Sequence, residues 1–149
     1  MYSEQIMQRM AELKNAGILK GSNARGQAGT MHEGDVMRLQ LTIRGGQFVD
    51  GVVVGGEIVD ARFRVFGCVP AIIACDILCD LVRGLSVEET KKLIEKKTLE
   101  QKIIAEMGVM PANKIYCATL AQTALEDVLK NWRRALEREY LAKQAVKKR

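Results

Sequence analysis

Long apolar runs are absent from this chain of 149 residues, and none is long enough to span a bilayer. The N-terminus, Met1-Tyr2-Ser3-Glu4-Gln5, has neither a basic n-region nor an apolar h-region. No secretory signal is visible, and a cytoplasmic location is the default expectation. The chain contains no CxxC, P-loop, GxGxxG or HExxH motif, which removes the usual sequence grounds for a paired-thiol, nucleotide-cradling or zinc-protease reading. It has one histidine, His32. There is no internal repeat and no second domain boundary. Four cysteines in a chain of this kind read as thiols or ligands rather than a disulfide framework.

What is present fits one domain with a real core. Apolar residues make up 48% of the chain, too many for a disordered segment. The formal net charge is +5, and it is carried by the end of the chain. From Arg133 to Arg149 there are seven Lys or Arg and two Glu, a net of +5, so the body before it is neutral by count. This tail has one aromatic, Tyr140, and no base-reading motif. It reads as a solvated helix end, where cations are favoured by the helix dipole. Nucleic acid and membrane are not expected as partners.

The pattern along the chain predicts an amphipathic helix over Ser3–Asn15, with Ile6, Met10 and Leu13 on one face and Ser3 as its cap. Gly21–Thr30 reads as a loop. Val36–Arg44 alternates as a half-buried strand, Phe48–Val54 is a β-branched run, and Glu57–Phe66 alternates again. The expected product is a small three-stranded antiparallel sheet with hairpin connections. After it everything is helical. A largely apolar helix runs from about Pro70 to Val82, and helices follow the capping-box patterns at Ser86 and Thr98. A long helix carries Leu120, Ala124, Leu125, Val128, Trp132 and Leu136 from about Cys117. The fold class is α+β, a small antiparallel sheet covered by helices.

Three places bring polar or thiol groups to the ends of elements. They are His32-Glu33-Gly34-Asp35 before the first strand, Gly67-Cys68 after the last, and Tyr116-Cys117 at the start of the long helix. Cys68 falls between a strand and a helix, where unsatisfied N–H groups and the helix dipole stabilise negative charge. A thiolate at such a turn is a candidate metal ligand or sulfur acceptor. Cys75 and Cys79 stand i, i+4 on the apolar helix beside Ile72 and Val82 and read as core.

At these residues the chain resembles the iron–sulfur cluster assembly scaffolds, the IscU, SufU and NifU N-terminal group. The resemblance covers Tyr2 to about Arg134 and is strongest in Gly34-Asp35-Val36-Met37-Arg38-Leu39-Gln40-Leu41, in Val59 through Cys68, and from Pro111 through Cys117. It implies a scaffold domain over residues 1–134 with a basic helical extension over 135–149. It also implies a carrier rather than an enzyme, which accepts sulfur from a cysteine desulfurase, acquires iron and passes a cluster to apo iron–sulfur proteins. Cys68 matches the family's middle cysteine, Cys117 its last, and Asp35 the aspartate after the first. Glu33 stands where the first cysteine would be. Tyr116 replaces the histidine that precedes the last cysteine and is expected to pack rather than ligate. Val69-Pro70 replaces Gly-Ser, and Met110-Pro111-Ala112-Asn113-Lys114 departs from Leu-Pro-Pro-Val-Lys.

Cys68 and Cys117 alone do not make a four-thiolate site. Several routes stay open. Glu33 and Asp35 supply oxygen ligands, His32 supplies a nitrogen, Cys75 or Cys79 contributes, or two chains share a cluster as a homodimer. A zinc-binding sulfur acceptor of the SufU type, or an interaction module that binds no metal, are the alternatives. The expected ligand set is Cys68 and Cys117 with Asp35 and Glu33.

Overall fold

A computed structural model describes residues 2–148; Met1, and Arg149 at the end of the basic tail, lie outside the described residues. The sheet is three-stranded and antiparallel, as expected, but its strands are not the expected three. Its order is β1 (Ala24–Thr30), β2 (Asp35–Arg44) and β5 (Glu57–Phe66). The segment read as a loop is therefore β1. The run read as the middle strand forms a separate two-stranded hairpin, β3 (Gln47–Val49) with β4 (Val52–Val54). That hairpin turns at Asp50-Gly51, both in the left-handed region with φ of 49° and 79°, the conformation that suits a tight Asp-Gly hairpin turn.

β1 has small side chains because a helix backbone lies on it. A Cβ on Gly26 would stand 2.5 Å from the backbone nitrogen of Val128. Helix α5 (Tyr116–Lys147) also covers part of the free edge of β1. Asp127 accepts the Gln27 N–H at 2.9 Å, and Asn131 donates to the Arg25 carbonyl at 2.8 Å, so two of the outward backbone groups of that edge are taken by α5. The opposite edge is partly covered by the segment after α1 (Glu4–Ala11), where Asn15 and Gly17 bond to both backbone groups of Phe63. Helix α1 ends earlier than the apolar spacing suggested, and Ser3 caps it by accepting from Ile6 N–H.

The inner sheet face buries Met37, Leu39, Leu41, Ile43, Ala61 and Phe63 against helix α2 (Val69–Val82) and α5. An extra residue in β5 opposite Thr42 and Ile43 shifts the register, so Ile58 and Ala61 both face inward. Helices α3 (Val87–Glu95) and α4 (Thr98–Met107) complete the core with Val87, Leu99, Ile103 and Met107. Ser86 caps α3 as its sequence indicates, its Oγ accepting from Glu89 N–H. Thr98 does not cap α4. It is the first helical residue, and Lys97 precedes it in the left-handed region with φ of 60°.

One polar cluster is built into this core. Asp76 on α2 is 1% exposed. Its carboxylate accepts the N–H groups of Lys14 and Asn15 and pairs with Arg9 at 3.1 Å, tying α1 and its following turn to α2.

Candidate metal centre

The site grows out of one strand pairing. Val36 pairs with Phe66, so Asp35 at the start of β2 lies beside Gly67-Cys68 at the end of β5. Cys68 is the N-cap of α2 and has extended backbone, and Pro70 holds the first turn. A third chain segment arrives from the far end of the sequence, where α5 begins at Tyr116 and Cys117. Two helix N-termini thus meet at one end of the sheet, each bringing a thiol. Their unpaired N–H groups and dipoles favour negative charge at that end.

Ligand atoms of Asp35, Cys68 and Cys117 all lie within 4.8 Å of one another. Around one tetrahedral ion with bonds of about 2.0–2.3 Å, ligand atoms stand about 3.3–3.8 Å apart. The three are therefore near enough to be candidate ligands of one ion. Two sulfurs and a carboxylate suit iron–sulfur clusters and zinc rather than magnesium or calcium.

Asp35 is the organiser. It is only 5% exposed, and both its oxygens are engaged. Oδ1 accepts the Cys68 backbone N–H at 2.9 Å, and Oδ2 accepts the Tyr116 hydroxyl. Burial acts to raise its pKa, but the hydrogen bonds from Tyr116 and Cys68 outweigh it and hold the carboxyl below its ordinary value. Two glycines leave room for this. A Cβ on Gly67 would stand 2.1 Å from Asp35 Oδ1, and one on Gly29 would stand 2.1 Å from the Asp35 carbonyl oxygen.

The thiols differ. Cys68 is partly exposed, whereas Cys117 is buried. Burial, reinforced by nearby Cys68 and Asp35, pushes the Cys117 thiol up to about 12. The protonated thiol is therefore its favoured form at neutral pH. Hydrogen bonding to Asp35, with burial, pushes the Tyr116 phenol well above its usual range, which keeps it a donor.

Cys75 and Cys79 are buried in the core, and burial drives both thiols upward. Neither belongs to the converging set. Glu33 and His32 lie on a short 3-10 turn, Met31–Glu33, and both are exposed. They sit next to the site in sequence but outside the trio. Tyr116 is the residue whose part the sequence did not reveal. Read as a packing side chain, it makes a polar contact with Asp35, 81 positions away, and remains 44% exposed.

The fold is an α+β domain that brings two thiols and a carboxylate to the meeting point of a strand end and two helix N-termini, which makes that end a candidate metal site. Comparison makes this specific. The chain belongs to the NifU-like N terminal domain family, whose model matches residues 1–139. It is similar to the nitrogen fixation protein NifU of Trichormus azollae, 28% identical over 138 residues, covering 89% of this chain and 42% of that protein. The chain thus spans about two fifths of such NifU relatives. It is also similar to the iron–sulfur cluster assembly scaffold protein IscU of Azotobacter vinelandii, 27% identical over 135 residues, covering 89% and 94% of the two chains. A nitrogen-fixing NifU-like protein (N-terminal) from Brucella abortus shares the fold with a TM-score of 0.59 at 15% identity, covering 89% of this chain and 94% of that one. Among the described residues no helix is long and apolar enough to cross a membrane.

Proposed function

We propose that this chain is a scaffold for iron–sulfur cluster assembly. It takes sulfur from a cysteine desulfurase together with iron, holds the growing cluster as cargo, and releases it to apo iron–sulfur proteins. The observation that carries this reading is the convergence of Cys68, Cys117 and Asp35 within 4.8 Å. The family match and the relatives named as assembly scaffolds support it.

The chemistry fits a carrier better than a permanent holder. Partly exposed Cys68 is the accessible sulfur acceptor, and buried Cys117 anchors the inner side. A carboxylate in place of a third thiolate gives a harder, more exchangeable contact to iron. With three ligands in one chain, a fourth must come from Glu33, from the cargo or solvent, or from a second copy. The same set supports a second reading. Three protein ligands and one open position are the pattern of a reactive zinc site, and zinc there would keep both thiols deprotonated until sulfur arrives.

The test is anaerobic incubation of the chain with ferrous iron, cysteine, a cysteine desulfurase and dithiothreitol as the reductant that takes persulfide sulfur to sulfide, followed by presentation of an apo-ferredoxin. Matching iron and acid-labile sulfide on the chain, with visible thiolate-to-iron absorption that moves to the ferredoxin, is the expected result. One zinc per chain and no chromophore would favour the sulfur acceptor. No metal at all would leave only an interaction module.

A further inference from the structure

Resting on that reading of the site, we infer that Tyr116 is a latch on Asp35: its hydroxyl competes with the incoming metal for Asp35 Oδ2 and so weakens cargo binding. Tyr116 is a positioning residue here, acting through Asp35 and not as a ligand.

The trio offers a metal only one oxygen ligand, Asp35, because Glu33 and His32 lie outside it. How strongly the third ligand holds a metal therefore depends on what Asp35 is already bonded to. Its two oxygens are not equivalent. Oδ1 is held by a backbone N–H, that of Cys68 at the N-cap of α2, and a helix cap cannot swing away without unwinding the turn. Oδ2 is held by a side chain, the Tyr116 hydroxyl. A side chain can leave by rotating about its own bonds, and at 44% exposure the Tyr116 ring has solvent to move into. Oδ2 is thus the oxygen that can be released.

The exchange is balanced in bonds and protons. The phenol keeps its proton throughout, passing from the carboxylate to water, while the metal takes the oxygen that the phenol gave up. A hydrogen bond to an ionised, nearly buried carboxylate is among the stronger ones in a protein, so the competition is felt in affinity. A ligating side chain at position 116 would add to the metal's hold; a phenol bonded to Asp35 subtracts from it. The empty site is kept intact by the same contact, because Asp35 has partners for both oxygens when no metal is there.

Titration with Co2+ alone under anaerobic conditions reads this directly, since thiolate-to-cobalt absorption reports ligation by the two cysteines. Tyr116→Phe keeps the ring and removes only the hydroxyl, so its fold is checked by thermal melting of the apo-protein. The expected result is binding about tenfold tighter than in the wild type, the scale of one charge-assisted hydrogen bond, with slower loss of cobalt to a chelator. In an Asp35→Ala background the same Tyr116→Phe change should alter nothing, because the tyrosine acts only through Asp35. Unchanged or weaker binding by Tyr116→Phe overturns the latch and leaves the scaffold reading standing. An equal effect in the Asp35→Ala background overturns it as well. Absence of thiolate-to-cobalt absorption in the wild type would instead overturn the scaffold reading itself.

Discussion

Replacing Gly67 by alanine probes how the site is assembled. Gly67 does not lie in the left-handed region, so alanine meets no backbone penalty there and any cost is one of contact. The added Cβ would stand 2.1 Å from Asp35 Oδ1, 3.0 Å from its Cγ and 3.2 Å from its Cα. The nearest atom is the oxygen that accepts the Cys68 N–H at 2.9 Å, and Asp35 is too buried to retreat freely. Relief requires either moving the strand end or swinging the carboxylate out of its two hydrogen bonds. Overpacking costs about 1–3 kcal/mol, and losing a hydrogen bond to a charged group costs about 1.5–3 kcal/mol. Since one relieves part of the other, the expected loss is about 3 kcal/mol, or a fall in melting temperature of about 10 °C for a domain this size. Cobalt or zinc affinity should fall at least about tenfold, because the carboxylate leaves the thiols. Calorimetric melting of the apo-protein and metal titration measure both. Gly67→Ala with wild-type melting and wild-type metal affinity would refute the placement of Asp35 between Gly67 and Tyr116.

Other expectations follow from the same contacts. Asp76→Ala should cost about 2–4 kcal/mol in denaturant unfolding, since it removes the acceptor of the Lys14 and Asn15 N–H groups and one of the two carboxylates on Arg9, which keeps Asp80, and a loss under about 1 kcal/mol would contradict that network. The folded state holds protons on Cys75, Cys79 and Cys117 above the ordinary thiol value of 9.0. An unfolded chain binds fewer protons there, so apo-protein stability should fall as pH rises from about 9 towards about 12. Denaturant titrations across that range should show the slope, and Cys117→Ala should make it shallower. Ending the chain after Arg134 removes Tyr140, whose ring packs on Phe48 at 5.3 Å between centroids, and Leu136 beside Gly46. The melting temperature should drop by a few degrees, at a cost of about 1–2 kcal/mol, with metal binding unchanged. A change in metal affinity would show that the extension reaches the site.

The local parts of this architecture were legible and the long-range parts were not. Strand, Gly-Cys turn and apolar helix lie consecutively from Glu57 to Val82, so Cys68 could be placed at a helix N-terminus from the sequence pattern, and the structure puts it there as the N-cap. Cys75 and Cys79 are legible as core because both sit on a helix that is apolar nearly all round, and both are buried. β1 was hidden because Ala24, Gly26, Ala28 and Gly29 give Ala24–Thr30 the small-residue composition of a loop. Their size answers to the backbone of α5, 100 positions away, which no window on β1 can see. The valine run at 52–54 has strong β-propensity and suggests a strand of the main sheet, whereas the Asp50-Gly51 turn splits Gln47–Val54 into a ribbon of its own. Thr98 had a capping-box spacing, but the left-handed Lys97 takes the cap position. The bond from Tyr116 to Asp35 joins the start of one helix to the start of one strand, and only the assembled fold brings them together.

Iron and acid-labile sulfide bound after anaerobic reconstitution, measured side by side on the wild type and on Cys68→Ser, test the central claim most directly. The account predicts that the wild type carries both in matching amounts, and that Cys68→Ser, folded and equally soluble, carries neither. Equal iron and sulfide on the two proteins would contradict it, because the cargo would then be held somewhere other than between Cys68, Cys117 and Asp35.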